Sequence, residues 1–353
     1  MDAPTIRFGP PLRAAFAASL LVLATALAAC SPIGGRISIP PDATGSTGPA
    51  ATATPSARVS PSVQLSPSVQ PGPSAAFPVT LTDDEGTAVA IPSEPERIVS
   101  LTPATTEILF EIGAGERVVA TTDFDDYPPE AVDLPDVASF TAVDVEKIVG
   151  LEPDLVIAGG NNFNDPKAIE RLRSLDIPVL VTYAPDIATV LADMELIGAA
   201  VGQPEEAAEL TASLEDGFAD VADATADLER PRVFYELDAT QDIFTAADDS
   251  FIEEMIELAG GDPITTGSTT DFSIPLERLV TEDPEVILLG DAAYGVTPEA
   301  VAQRPGWDGM TAVREDAIRP VDDIVITRPG PRLLEGLRLL AEAIHPDLDL
   351  AGG

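Results

Sequence analysis

Histidine and cysteine are nearly absent: His345 and Cys30 are the single examples in 353 residues. One imidazole, beside Pro346 near the end of the last predicted helix, furnishes no histidine-built zinc or manganese centre and argues against a Ser-His-Asp triad. One thiol excludes disulfides and cysteine-rich metal sites together. Bases are scarce too, with 19 Lys and Arg against 60 Asp and Glu and a formal net charge of −41. A field of that sign repels phosphates, which sets nucleic-acid binding aside and implies a well-solvated surface. Aromatic residues make up only 5% of the chain, so rings gathered in one place would be informative. Nucleophile elbow, metal-ligand cluster and phosphate-cradling glycine loop are all missing, which weighs against an enzyme on an α/β fold.

What is present begins with a targeting pattern. Arg7 and Arg13 precede an apolar run over 14–29 that ends Leu27-Ala28-Ala29-Cys30. At about 16 residues the run is short of the roughly 20 that span a membrane. Small residues before a cysteine resemble a bacterial lipobox, which makes 1–29 a signal peptide and Cys30 the lipidated first residue of the mature chain. The protein is then extracytoplasmic and tethered to the cell membrane. Residues 30–76 are rich in Pro, Ser, Thr, Ala and Gly and show no hydrophobic period, the composition of a linker that does not fold. As a flexible coil it reaches about 35–40 Å.

The folded part is organised around a duplicated segment. Val145-Glu146-Lys147-Ile148-Val149 leads to Pro153-Asp154-Leu155-Val156-Ile157, and Leu276-Glu277-Arg278-Leu279-Val280 leads to Pro284-Glu285-Val286-Ile287-Leu288. Each matched pair is 131 positions apart (277 − 146 and 284 − 153). Both copies read as a short helix stopped by Pro and followed by a buried strand. That is far too long a period for a solenoid; it implies two homologous α/β lobes. A hairpin is expected over 78–91 around Asp83-Asp84-Glu85-Gly86. Strand, helix and strand alternate from Arg97 to Val181, and again from Arg232 to the last helix after Arg332. Strands alternating with helices argue mostly parallel central sheets. Between them, 205–228 reads as one long helix despite Gly217. The expected division is a lobe over 77–203, a connecting helix over 204–229 and a second lobe over 230–353, with a cleft between the lobes.

Ser100-Leu101-Thr102-Pro103 with Thr106-Glu107, the Asp126-Tyr127-Pro128-Pro129 loop, both Glu-bearing repeats, Trp307 before Ala312-Val313 and the Arg328-Pro329-Gly330-Pro331-Arg332 segment carry a resemblance. Over about 77–348 the chain resembles the cobalamin and ferric-siderophore family of ABC-importer substrate-binding lipoproteins, most closely its vitamin B12-binding branch. The resemblance implies a non-enzymatic monomer with no resident cofactor, which delivers a corrinoid or ferric complex to a permease dimer and its ATPase. It places Glu146 and Glu277 on the two lobes as the residues that dock onto the permease. It also aligns Phe124 and Phe140 with aromatic ligand contacts, Phe140 standing where the cobalamin branch tends to have Trp.

The residues themselves add candidates for ligand contact. Phe163, Phe244, Phe272 and Tyr294 fall on loops like those of Phe124 and Phe140, where rings can cover a large apolar ring system. Arg328 and Arg332 suit amide or carboxylate oxygens, unless Arg328 pairs with Asp322 or Asp323 and Arg332 with Glu335. Tyr127 is expected to pack under its Pro-Pro loop and His345 to end a helix. A ferric siderophore or haem remains the alternative ligand, and a sensor lipoprotein the alternative role.

Overall fold

The computed structural model describes residues 77–348, apart from 140, and residue 350. The lipobox, the linker and Phe140 fall outside the described residues. Among the described residues no helix is long and apolar enough to cross a membrane.

β1 (Val79–Thr82) and β2 (Ala88–Ile91) form the antiparallel hairpin. Its turn is closed by Asp83, whose carboxylate accepts from the Thr87 N–H at 2.7 Å. β3 (Ile98–Ser100), α1 (Pro103–Glu111), β4 (Val118–Thr122), β5 (Asp136–Ser139), β6 (Ala142–Val143), α2 (Val145–Gly150), β7 (Leu155–Gly159), α3 (Pro166–Arg173) and β8 (Val179–Thr182) build the first lobe. Its sheet runs β6-β5-β4-β3-β7-β8 and is parallel except for the edge pair β5–β6. α4 (Ile187–Val201) and α5 (Pro204–Thr225) come next. The second lobe comprises β9 (Arg232–Glu236), α6 (Phe251–Leu258), β10 (Asp262–Pro263), α7 (Leu276–Glu282), β11 (Val286–Leu289), α8 (Pro298–Ala302), α9 (Thr311–Arg314), β12 (Ile318–Pro320), α10 (Asp323–Thr327) and α11 (Leu333–Ile344). Its sheet, β10-β9-β11-β12, is parallel throughout.

The duplicated segments take the same form in both lobes. α2 leads into β7 and α7 into β11, each an inner strand of its sheet with every residue buried. Strands covered on both faces require continuous apolar runs, which is what Leu-Val-Ile and Val-Ile-Leu supply.

α5 occupies the stretch expected for the connecting helix, and α4 precedes it within the span of the first lobe. α4 carries no polar stripe to betray it, since nine of its 15 residues are buried. It packs against α1 on one side and α5 on the other. α5 in turn lies along α11. Gly217, a poor helix former, is what allows that approach: a Cβ there would sit 2.3 Å from Leu334 Cδ2. One apolar core runs without a break from Ile98 and Leu155 under the first sheet, through Met194 and Phe218, to Tyr235, Leu288 and Leu337 in the second lobe. The lobes therefore share buried surface, and separating them would expose it to water. Close packing also fixes the last two helices. Gly336 on α11 leaves room for the α10 backbone, where a Cβ would meet the Val325 carbonyl oxygen at 2.4 Å.

Candidate functional site

In open parallel sheets, ligands bind beyond the carboxyl ends of the strands. A cleft of about 600 Å³ lies there between the lobes. The first lobe lines it with residues 102–105 after β3, Phe124 after β4, residues 159–163 after β7 and residues 182–184 after β8. From the second lobe come Phe251, Tyr294, α10 residues and Arg328.

Local hydrogen bonds set the first wall. Thr102 caps α1, its hydroxyl oxygen accepting from the Thr105 N–H at 3.1 Å, while Thr106 Oγ1 donates to Ser100 Oγ at 2.8 Å. Asn164, buried, ties the β7 loop down: its Oδ1 accepts from the Gly159 N–H at 2.7 Å and its Nδ2 donates to the Leu101 carbonyl at 3.2 Å. That loop turns through left-handed Asn161 (φ 50) and Asn162 (φ 63), which puts two amides on the lining. It also brings Phe163 edge-on to Phe124, with centroids 6.3 Å apart at 62°.

Beside the cleft one carboxylate grips two guanidiniums. Glu107 of α1, its side chain 1% exposed, accepts from Arg328 Nη1 at 2.6 Å and from Arg332 at 2.7 and 3.0 Å. Arg328 also donates to Asp126 at 2.8 Å, and the Arg332 guanidinium stacks on the Tyr127 ring at 4.4 Å. The hydrogen bonds that Arg332 donates to Glu107 hold its guanidinium still more firmly protonated than usual. Glu107, Asp126 and Tyr127 belong to the first lobe and both arginines to the second, so the cluster ties lobe to lobe. In the second lobe Glu236, its side chain wholly buried, takes Arg304 bidentately at 2.5 and 2.8 Å. Burial and the neighbouring Glu236 push Asp291 up to about 7.

Of the contacts expected from sequence, the structure brings Phe124, Phe163, Tyr294 and Arg328 to one cleft. Phe244 and Phe272 are not in its lining. The 237–274 stretch hydrogen-bonds to itself instead: Phe244 bridges to Asp238 and Ser273, and the Phe272 carbonyl accepts from the Thr245 N–H. Arg332 is absent from the lining as well, its guanidinium taken by Glu107 and Tyr127. The ion pairs of both arginines go to Glu107 and Asp126 and not to the local acids Asp322, Asp323 or Glu335, of which Glu335 only adds to the field at Arg332. Tyr127 is 40% exposed with Arg332 over its ring, and His345 ends α11 away from the cleft. Glu146 and Glu277 are both exposed in the first turns of α2 and α7. The expectation passes over Tyr183 and Phe251. Tyr183 follows β8 directly, the signal that marks Phe124 after β4; Phe251 opens α6 and reads as an ordinary helix residue.

Two α/β lobes with a ring-walled cleft between them define a solute-binding protein of the two-lobed class. The chain belongs to the periplasmic binding protein family, whose sequence profile matches residues 98–324. It is 35% identical over 276 residues to the uncharacterized ABC transporter substrate-binding lipoprotein YvrC of Bacillus subtilis (strain 168), covering 77% of this chain and 87% of that one. To a cobalamin-binding protein of Halobacterium salinarum it is 35% identical over 283 residues, 77% of this chain and 75% of the relative. Among solved structures it is similar to the apo form of the periplasmic heme-binding protein RhuT from Roseiflexus sp. RS-1, with TM-score 0.63 and 27% identity over 71% of this chain and 98% of that one.

Proposed function

We propose that this substrate-binding protein captures a corrinoid, with vitamin B12 the foremost candidate, and hands it to an ABC permease. The observation that carries the reading is the cleft's charge. Among the described residues Arg328 is the one cation on its lining, and Glu107 and Asp126 already neutralise it. Haem propionates or a ferric catecholate would enter an acidic protein with no free cation on that lining to meet them. A corrinoid presents neutral amides, for which Asn161, Asn162 and Thr102 are suitable partners, and an apolar ring system for Phe124, Phe163 and Tyr183. The relative named for cobalamin binding supports the same choice.

Calorimetric titration of the purified protein tests it. Cyanocobalamin is expected to bind one-to-one, with haem and ferric siderophores at least about a hundredfold weaker, a gap of roughly 2.7 kcal/mol. Haem is the second reading because Tyr183 and Tyr294 both line the cleft and a tyrosine can ligate haem iron. Haem binding that is lost in Tyr183→Phe or Tyr294→Phe, with no cobalamin binding, would replace the first reading by the second.

Attachment to the membrane through a lipidated Cys30 is part of the proposal, resting on the lipobox-like run and on the lipoprotein named among the relatives. A Cys30→Ala chain is expected in the soluble fraction of lysed cells; retention in the membrane fraction would refute lipid anchoring at that residue.

A further inference from the structure

The buried acid Asp193 stands on the cleft wall. It sits on α4, 7% exposed. The groups facing it are acids. Asp84 reaches over from the β1–β2 turn and Asp186 lies at the start of α4 itself. Glu254 of α6 closes the same corner, accepting from the Ile187 N–H at 2.9 Å. Asp84 is fixed in place: its N–H donates to the Val181 carbonyl at 3.1 Å and its carboxylate accepts from the Tyr183 N–H at 2.5 Å. Asp186 is occupied by the N–H and hydroxyl of Thr189, at 2.7 and 2.6 Å. Arg173, the cation bonded to this hairpin turn, is taken by Asp83 and Glu85.

We propose that Asp193 is a specificity-determining residue of the cleft: hydrogen-bonded to Asp84, its carboxyl presents an acceptor oxygen that takes an amide N–H of the ligand and turns a ligand carboxylate away. The proposal rests on the corrinoid reading for the ligand's identity, and the corrin periphery is rich in primary amides. Burial and the facing Asp84 push the Asp193 carboxyl up to about 9. At neutral pH it therefore holds a proton, which goes into the bond with Asp84. The oxygen left over is an acceptor without a charge. It can pair with an amide, whereas a carboxylate would set acceptor against acceptor in a buried place, the kind of mismatch that discriminates strongly. The hairpin gains a role from this, since its turn supplies the partner that holds Asp193.

The test compares dicyanocobinamide, with amides around the ring, and dicyanocobyrinic acid, with carboxylates there, on the full chain and its Asp193→Asn and Asp193→Ala variants. The alanine variant is expected to lose about tenfold of the preference for the amide ligand, the size of one net hydrogen bond. Asparagine can donate to Asp84 and accept from the ligand, so it keeps the preference. It also removes the rise in preference for the amide ligand expected of the wild type as pH climbs through about 9, where an ionised Asp193 still accepts from an amide and repels a carboxylate. Stability carries the same signature. Holding the proton costs the fold progressively as pH rises from the ordinary carboxyl range of about 4. Asp193→Asn therefore raises the Tm at and above neutral pH and leaves it unchanged in acid.

An unchanged preference in the alanine variant, or the same alkaline rise in preference in the asparagine variant, overturns the proposal. Should no corrinoid bind, the corrinoid reading fails and the same comparison is made between haem and its diamide. Independently of any ligand, a protonated-carboxyl infrared band at pH 7 that Asp193→Asn removes supports the proposal, and its absence from the wild type overturns it.

Discussion

Replacing Glu107 with glutamine is expected to lower the Tm by about 10 °C. Removing one member of a buried charge cluster leaves the others uncompensated, at a cost of about 3–5 kcal/mol. For a folded unit of this size each kcal/mol moves the Tm by roughly 2–4 °C. Glu107 is 1% exposed and its partners Arg328 and Arg332 are 14% and 21% exposed, so water can repair little of the loss. Glutamine keeps the shape and still offers one oxygen, which isolates charge from packing. The cluster joins the lobes, so the variant should also show a larger radius of gyration in solution scattering. Glu335→Gln, on the exposed side of α11 and not hydrogen-bonded to Arg332, is the control and should change the Tm by no more than a degree or two. A Glu107→Gln protein that melts with the wild type would mean that the cluster contributes nothing net, and the interlobe tie would have to be sought in the shared apolar core alone.

Reversing both charges in Glu146→Lys with Glu277→Lys is expected to abolish uptake while leaving ligand affinity within about twofold. Each glutamate is exposed in the first turn of its helix, and the 131-residue interval puts them at equivalent places on the two lobes. A pair of like charges placed in that way suits a two-fold partner carrying matched positive charges, whose rate and register of association they would set. Within the fold each contributes only a helix-dipole term of about 0.3–1 kcal/mol, so the reversed protein should fold and bind. One reversal alone should reduce uptake by about tenfold, corresponding to roughly 1.4 kcal/mol of lost steering and contact. Uptake that survives the double reversal would remove these residues from docking, leaving them as acids at helix starts.

Much of the architecture is written in short stretches of the chain. Phe251–Leu258 takes its helix because Ser250 caps it, its hydroxyl accepting from the Glu253 N–H, and apolar residues recur at helical spacing. The repeats declare themselves because strands buried on both faces must be continuously apolar. α4 stays hidden for the opposite reason. Wedged between α1 and α5, it is apolar most of the way round and has no period to read. β5 and the edge strand β6 are short, and Asp136, Ala138 and Ser139 of β5 give little β signal.

The site divides along the same line. Position after a strand marks rings that can face a crevice, and Phe124, Phe163 and Tyr294 do line one. That rule cannot say that the 237–274 stretch will bond to itself and carry Phe244 and Phe272 out of the lining. Nor can it find Glu107 as the partner of arginines 221 and 225 residues away, or Asp84 as the acid that faces Asp193. The family, the two lobes and the docking candidates follow from sequence alone, because periodicity, caps and the duplicated register are local and repeat along the chain. Which charges neutralise one another and which rings share a cleft was decided by the tertiary structure, because burial strengthens a charge pair only after distant segments have excluded the water between them.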